Sequence, residues 1–241
     1  ELQSAADYMS SIMPEGLTGP VDIASRYLPS RELGGDCFDY TWIDDDHLLI
    51  YLIDVSGHGI EPALLSVSVH NMLRSGSLSR ETVLAPEVAL TELNRLFPMD
   101  QHNDHYFTLW LGVYEASTRT LRYSNAGAPA PLAFSPASGG ATEVAELSST
   151  SRPVGMFEKT VFTAHEHPVP PGSRILIYSD GASEITLADG RHLPPAEFVN
   201  LVTRVAGSPD WSLDDLIAEL RALTPTGFIE DDCSLIALSF D

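Results

Sequence analysis

Short apolar runs of strand length, most of them joined by tight turns, limit this chain more than any other feature. They fall at about 21–28, 33–42, 47–54, 106–115, 119–125, 160–167, 173–179 and 232–240. Neighbouring strands with short connections pair antiparallel, because a parallel pair needs a crossover of about a dozen residues or more. Helical patterns occur in two blocks, about 60–75 with 86–97, and 194–206 with 213–223. They do not follow each strand in turn, which argues against a doubly wound parallel sheet. The expected class is α+β: an αββα sandwich, two packed antiparallel sheets flanked by helices. The stretch 127–156 is rich in Pro and Gly and reads as loops with short extended pieces.

At 241 residues the chain is long enough for one large domain with its own core. Charge narrows the function. Thirteen Lys and Arg face 34 Asp and Glu, a formal net charge of −21. A nucleic-acid partner needs a basic footprint, and anionic lipid needs the same, so both are excluded as expectations. Bound cations would relieve such an acidic excess. No apolar run reaches the roughly 18 residues of a membrane span, so no direct membrane insertion is expected. Two cysteines, Cys37 and Cys233, cannot form a disulfide framework. They fit buried core positions in a reducing, cytoplasmic setting. The pairs His102/His105 and His165/His167 lack cysteines at zinc-finger spacing.

Between the runs 33–42 and 47–54 lies Asp44-Asp45-Asp46, read as a solvated turn. A turn centred on Asp45 places Trp42 opposite Leu48 and Asp36 opposite Asp54. Opposed residues have Cβ atoms about 5 Å apart. Two carboxylates there repel by about 3 kcal/mol at an effective dielectric near 20. One or two divalent cations turn the same pair into a hard-oxygen ligand set. A slip of one residue would break the pairing.

Glycines flank these acids: Gly34-Gly35 before Asp36, and Gly57-His58-Gly59 after Asp54. Asp180 ends the apolar run 175–178 and precedes Gly181, and Asp231-Asp232 opens the last strand. An Asp beside Gly after a strand is ordinarily a turn. Four such sites weaken the turn reading without rejecting it.

The strings GGDCFDY (34–40), LIDVSGHGIEPALLS (52–66), YFTLWLGVYE (106–115), YSNAGAPAPL (123–132), ILIYSDGASEI (175–185) and DDCSLIAL (231–238) stand in an order that resembles one family. It is the SpoIIE-type, RsbU-like branch of the PPM metal-dependent protein serine/threonine phosphatases. The resemblance implies an αββα sandwich with two Mn²⁺ or Mg²⁺ ions. It implies Asp36, Asp54, Asp180 and Asp231 as the catalytic metal acids, with Asp54 bridging and the Val55 carbonyl as a neighbouring ligand. Asp232 is the lesser candidate, because strand alternation turns it away from Asp231. Gly57 and His58 belong to the second motif. His58 is either a proton donor to the leaving serine oxygen or a loop histidine. Arg31 is either a phosphate clamp or a surface residue. The motif commonly written NAGH reads Asn125-Ala126-Gly127-Ala128 here, so a frequent histidine is absent.

The expected activity is hydrolysis of phosphoserine or phosphothreonine on a bacterial regulatory protein by metal-activated water, without a covalent enzyme intermediate. The resemblance implies an STAS-type anti-sigma-factor antagonist as that protein. The rival is a catalytically weak docking module of the same fold; a passive Ca²⁺ domain lacks an EF-hand loop. Residues 1–18 read as a linker or regulatory helix before a phosphatase domain at 19–241. Leu2, Ala5, Met9 and Ile12 form its apolar seam. The start at Glu1 suggests a piece of a longer chain, with an upstream sensor or receiver domain and a homodimer through this helix as further expectations.

Overall fold

The computed structural model describes residues 2–30, 33–140, 142–208 and 211–241, without the side chains of 2–5 and 140. Arg31 lies outside the described residues. In chain order the elements are α1 (Leu2–Ile12), β1 (Gly16–Leu17), β2 (Val21–Leu28), β3 (Asp36–Trp42), β4 (His47–Val55) and α2 (Ile60–Arg74). Next come α3 (Arg80–Val83), α4 (Pro86–Leu96), β5 (Phe107–Glu115), β6 (Thr120–Ala126), β7 (Leu132–Pro136) and β8 (Thr142–Glu146). The last are β9 (His165–Pro168), β10 (Arg174–Tyr178), α5 (Asp180–Ser183), α6 (Pro195–Ala206), α7 (Leu213–Leu223) and β11 (Cys233–Phe240). The chain divides into two compact units.

The first unit comprises Glu1–Pro14, Glu32–Ala130 and Leu147–Val169. Its sheet runs β3-β4-β5-β6-β9, antiparallel throughout. Helix α2 lies on β3 and β4, α4 on β5 and β6, and α1 against α2. Two polar contacts pin α2: Tyr51 Oη to His70 Nδ1 at 3.1 Å, and Arg74 to the buried Asp39 at 2.6 Å. Burial first, then Arg74, lowers the His70 pKa to about 4, so this ring is neutral in its apolar seat. Because side chains alternate along a strand, Asp39 and Tyr51 face α2 while Asp36 and Asp54 face away from it. On α1, Met9 is buried and Ile12 partly so; the side chains of Leu2 and Ala5 lie outside the described residues.

The second unit comprises Glu15–Arg31, Pro131–Glu146 and Pro170–Asp241. Its sheet runs β1-β2-β11-β10-β7-β8, also antiparallel. Phe198 and Val202 of α6 and Leu216 and Leu220 of α7 share a buried cluster with Leu176, Tyr178 and Leu235 of the sheet. Each such side chain contributes about 1.5–3 kcal/mol on burial. Ser212 and Asp215 close a reciprocal capping box at the start of α7. Arg26 of β2 grips Asp214 with two hydrogen bonds of 2.8 and 2.9 Å.

The main strands and helices lie close to where the sequence pattern put them; β1 and α3 are additions to it, the run 33–42 is strand only from Asp36, and three further stretches differ. The Pro- and Gly-rich stretch holds a true hairpin, β7 with β8. The run 160–167 is strand only over His165–Pro168, and Val161 is 83% exposed. Asp180 opens the one-turn helix α5 instead of ending a strand in a turn. Among the described residues, no helix is long and apolar enough to cross a membrane.

Candidate functional site: paired acids at two strand ends

The β3–β4 register is the one the turn at Asp45 dictates: Trp42 pairs with Leu48, and Asp36 with Asp54. Asp36 is 2% exposed and Asp54 partly buried. Gly35 lets the two strands close here. A Cβ at that position would lie 2.5 Å from the Val55 carbonyl oxygen, a distance real Cβ atoms do not tolerate. Only glycine therefore allows this approach to the backbone group that the resemblance implies as a ligand.

The loop after Val55 is clamped on its other side. Ser56 N–H donates to Tyr106 O at 2.9 Å, and Tyr106 N–H donates to Ser56 Oγ at 3.2 Å. His105 Nδ1 lies 2.8 Å from Ser56 O, and its Nε2 lies 3.5 Å from Glu61. Gly57 (φ 90) sits beneath the His105 ring, and Gly59 (φ 105) leads into α2. His58 is exposed on this loop. Tyr106 opens the third of the six strings, whereas His105 lies just outside it, and both meet the loop only through β4–β5 pairing.

In the second unit, a buried Ser179 joins the two remaining acidic segments. Its Oγ donates to Asp232 O at 3.2 Å and accepts from Ser234 N–H at 2.9 Å. Ser179 N–H donates to Ser234 O at 3.0 Å. The fit is close enough that a Cβ on Gly181 would collide with the Asp232 carbonyl and touch Asp231. Asp180 and Asp231 are thereby held side by side. Burial first, then the Asp231 and Glu184 charges, push the Asp180 pKa up to about 6. A carboxylate in that setting gains from a cation.

Asp231 and Asp232 part ways as alternation predicts. Asp231 is exposed, and one of its oxygens accepts the Asp232 N–H at 2.8 Å. Asp232 is 5% exposed and occupied internally, accepting from Ser30 N–H at 2.8 Å and from Tyr27 Oη at 3.4 Å. Burial raises the Asp232 pKa against those bonds.

Asn125 of the NAGA motif is 1% exposed and folds its own loop. It accepts from Ala128 N–H at 2.8 Å and donates to Ala128 O at 2.9 Å. Cys37 and Cys233 are buried. Burial, then Asp39 and Asp36, push the Cys37 thiol up, away from reactivity.

The donors gathered in each unit are carboxylate oxygens, with one backbone carbonyl at Val55, the chemistry that hard divalent cations take. The fit is supported further by Thr108, which pairs with Asp54 across β4–β5 and has a buried hydroxyl without a partner. Among the described residues, one group of three has its ligand atoms within 4.8 Å of one another: Asp46, His47 and Glu115. It lies at the far end of the β3–β4 hairpin from Asp36 and Asp54 and is not the expected set. Asp44 and Asp46 there are not simply solvated. Asp44 binds His47 and Arg80, and Asp46 accepts from Ser117 N–H and Oγ at 2.6 and 2.7 Å.

Comparison with known proteins identifies the family and the fold. The family described as Stage II sporulation protein E (SpoIIE) matches residues 44–241. The phosphoserine phosphatase RsbP of Bacillus subtilis is 32% identical over 191 residues, covering 77% of this chain and 46% of that protein. The phosphoserine phosphatase RsbU of the same organism is 22% identical, covering 70% and 49%. The chain thus spans about half the length of the curated relatives it matches. A structure of the RsbU and RsbW domains of a Mycobacterium tuberculosis protein is 26% identical with a TM-score of 0.74, covering 94% of this chain and 62% of that one. The SiaA-PP2C domain of Pseudomonas aeruginosa superposes with a TM-score of 0.81 at 19% identity, covering 100% and 96%. That likeness shows the fold, two antiparallel sheets with flanking helices, as expected. The match over 44–241 and the 32% identity to RsbP show that the chain belongs to the SpoIIE family, in the RsbU-like branch of the PPM phosphatases.

Proposed function

We propose that this chain removes phosphate from phosphoserine or phosphothreonine of a bacterial regulatory protein, using two Mn²⁺ or Mg²⁺ ions held by Asp36, Asp54, the Val55 carbonyl, Asp180 and Asp231. The observation that carries the reading is Asp36 opposite Asp54 in register, with Gly35 closing on Val55 O. The names of RsbP and RsbU support the reaction type. Divalent cations there would supply the positive charge that activates a water and offsets the phosphoryl oxygens.

The chain's own residues do the positioning. Gly35 and the Ser56–Tyr106 clamp hold the Val55 carbonyl; Ser179 and Gly181 set Asp180 against Asp231. Exposed His58 is the proposed proton donor to the leaving oxygen. Asp232 stays with Ser30 and Tyr27.

The finer substrate reading is an STAS-type anti-sigma-factor antagonist, in a cytoplasmic setting. The domain reading keeps 1–18 as a regulatory helix ahead of 19–241, joined to a sensor or receiver and able to dimerise. A chain starting at Gly19 tests that part: unchanged mass by light scattering, metal affinity and rate would reduce the helix to a tether.

The central test is turnover of p-nitrophenyl phosphate and of a phosphoserine protein. Both should require Mn²⁺ or Mg²⁺ and stop with a chelator. Full turnover in metal-free buffer would overturn the reading. No turnover with Mn²⁺, alongside retained binding of a phosphoprotein, would favour the docking module.

A further inference from the structure

The loop between β8 and β9 is pinned along its length. Val154 exchanges both backbone hydrogen bonds with Phe107, at 2.8 and 3.1 Å. The buried Asn94 of α4 accepts the Gly155 N–H at 2.8 Å and donates to the Phe157 and Glu158 carbonyls at 3.0 and 3.3 Å. Thr160 Oγ1 donates to Phe157 O at 3.0 Å, and Ser124 Oγ to Thr163 O at 2.9 Å. Phe162 is buried, yet Val161 beside it is 83% exposed and Phe157 is 44% exposed. Single exposed apolar residues are ordinary. Here two of the six large ones exposed among the described residues sit on one segment, and its committed backbone keeps them outward.

Charge sets the same segment apart. The net charge is −21, and Arg26, Arg74, Arg95, Arg122 and Arg204 each grip a carboxylate. Lys159, the only lysine of the chain, is exposed between Phe157 and Val161. The exposed Arg152 holds its guanidinium carbon 4.4 Å from the centre of the Phe157 ring. An aromatic ring beside an arginine is a pairing that interface centres favour. Position adds a third observation. Val55 pairs with Phe107, and Phe107 with Val154, so the loop leaves the sheet in the row that carries the Val55 carbonyl. Two strand spacings put Val154 about 10 Å from Val55. A protein docked there covers about 800 Å², a disc of roughly 16 Å radius, and so meets this loop.

We propose that segment 157–161, with Arg152, is a docking surface for the phosphoprotein substrate, and that it takes a stretch of that protein in which carboxylates alternate with apolar side chains. The inference rests on the reading of Asp54 and Val55 as the catalytic end and adds a partner chemistry to it. Carboxylates meet Lys159 and Arg152, the positive charge that the acidic remainder of the chain withholds. The apolar side chains between them cover Val161 and the Phe157 ring, which removes both from water. The loop is already ordered, so docking spends little on fixing it.

The test measures binding of two labelled peptides to the full chain in Mn²⁺ buffer by fluorescence anisotropy, with turnover of p-nitrophenyl phosphate beside it. Each peptide begins with serine, the product residue, followed by eight residues, roughly 26 Å when extended. These alternate Asp and Leu in one peptide and Lys and Ser in the other. The parent should bind the Asp-Leu peptide at least about tenfold more tightly. Val161→Ser removes an apolar contact and should weaken that binding about fivefold. Lys159→Glu replaces attraction by repulsion and should weaken it about tenfold while strengthening the Lys-Ser peptide. Equal binding of the two peptides by the parent overturns the docking surface, and so does a preference that either substitution leaves in place. The small ester carries no such stretch, so its turnover reports on the acids alone. Turnover without a peptide preference fells the surface and leaves the phosphatase reading standing. A preference that both substitutions weaken, without turnover, keeps the surface and favours the docking module.

Discussion

Two acidic clusters in this protein look alike in composition and behave in opposite ways. At the turn of the β3–β4 hairpin, the Asp44 pKa is lowered by hydrogen bonds from the Asp46 backbone first, then His47 and Arg80. Asp46 is lowered in the same way by Ser117, side chain before backbone. At the β10–α5 corner, Asp180 is pushed up to about 6 by burial and by Asp231 and Glu184. In the first cluster the chain's own donors already stabilise the negative charge, so a cation adds little there. In the second, burial and like charges disfavour ionisation, and a cation would reverse that. Counting acids within reach of one another picks out the first cluster. Asking what already stabilises them picks out the second.

The largest expected effect is on catalysis. Asp180→Asn and Asp54→Asn should each lower turnover by at least about 10³, equivalent to roughly 4 kcal/mol of transition-state stabilisation. Steady-state kinetics at saturating Mn²⁺ checks this, and near-wild-type rates would dissolve the contrast.

Next is Gly181→Ala. Its Cβ would collide with the Asp232 carbonyl, a backbone group that cannot swing aside. A loss of about 1–3 kcal/mol in denaturant unfolding follows, the range for overpacking. A neutral result would mean the Asp180–Asp231 corner is looser than described.

Third is pH. The Asp180 pKa is raised in the folded state, so the folded protein holds this proton more tightly than the unfolded chain does. Its contribution to stability is fully present below the ordinary carboxyl value of 3.8 and is lost as pH rises through about 6. In chelated protein, Asp180→Asn should therefore stabilise at pH 7.5, by about 1 kcal/mol once partial solvent screening is allowed for, and by much less at pH 4.5. Melting curves at the two pH values decide it. An equal effect at both would remove Asp180 as the source.

The smallest effect belongs to the turn. Asp46→Asn and Glu115→Gln should leave turnover and Mn²⁺ affinity essentially unchanged. A drop in either would make the Asp46–His47–Glu115 group a metal site and reverse the comparison.

Local pattern carried much of this outcome. A turn centred on Asp45 between the runs of β3 and β4 was enough to pair Asp36 with Asp54. Alternation likewise separated Asp231 from Asp232. The β7–β8 hairpin was not legible, because Pro and Gly mask a short edge pair whose strands gain most from each other. The solvated reading of Asp44–Asp46 missed Arg80 and Ser117, which arrive from elsewhere in the chain.

By itself the sequence determined which segments extend, where the main helices begin, how the hairpin registers and which acids stand near the strand ends. These depend on neighbours a few residues apart, where periodicity, turn chemistry and capping act. Tertiary structure alone decided that β2 pairs with β11, that Ser179 locks Asp180 to the segment before β11, and that Thr108 stands opposite Asp54. Each of these joins residues far apart in the chain. Their cost is loop-closure entropy and their gain is burial and hydrogen bonding in the assembled sheet, and neither leaves a local signal.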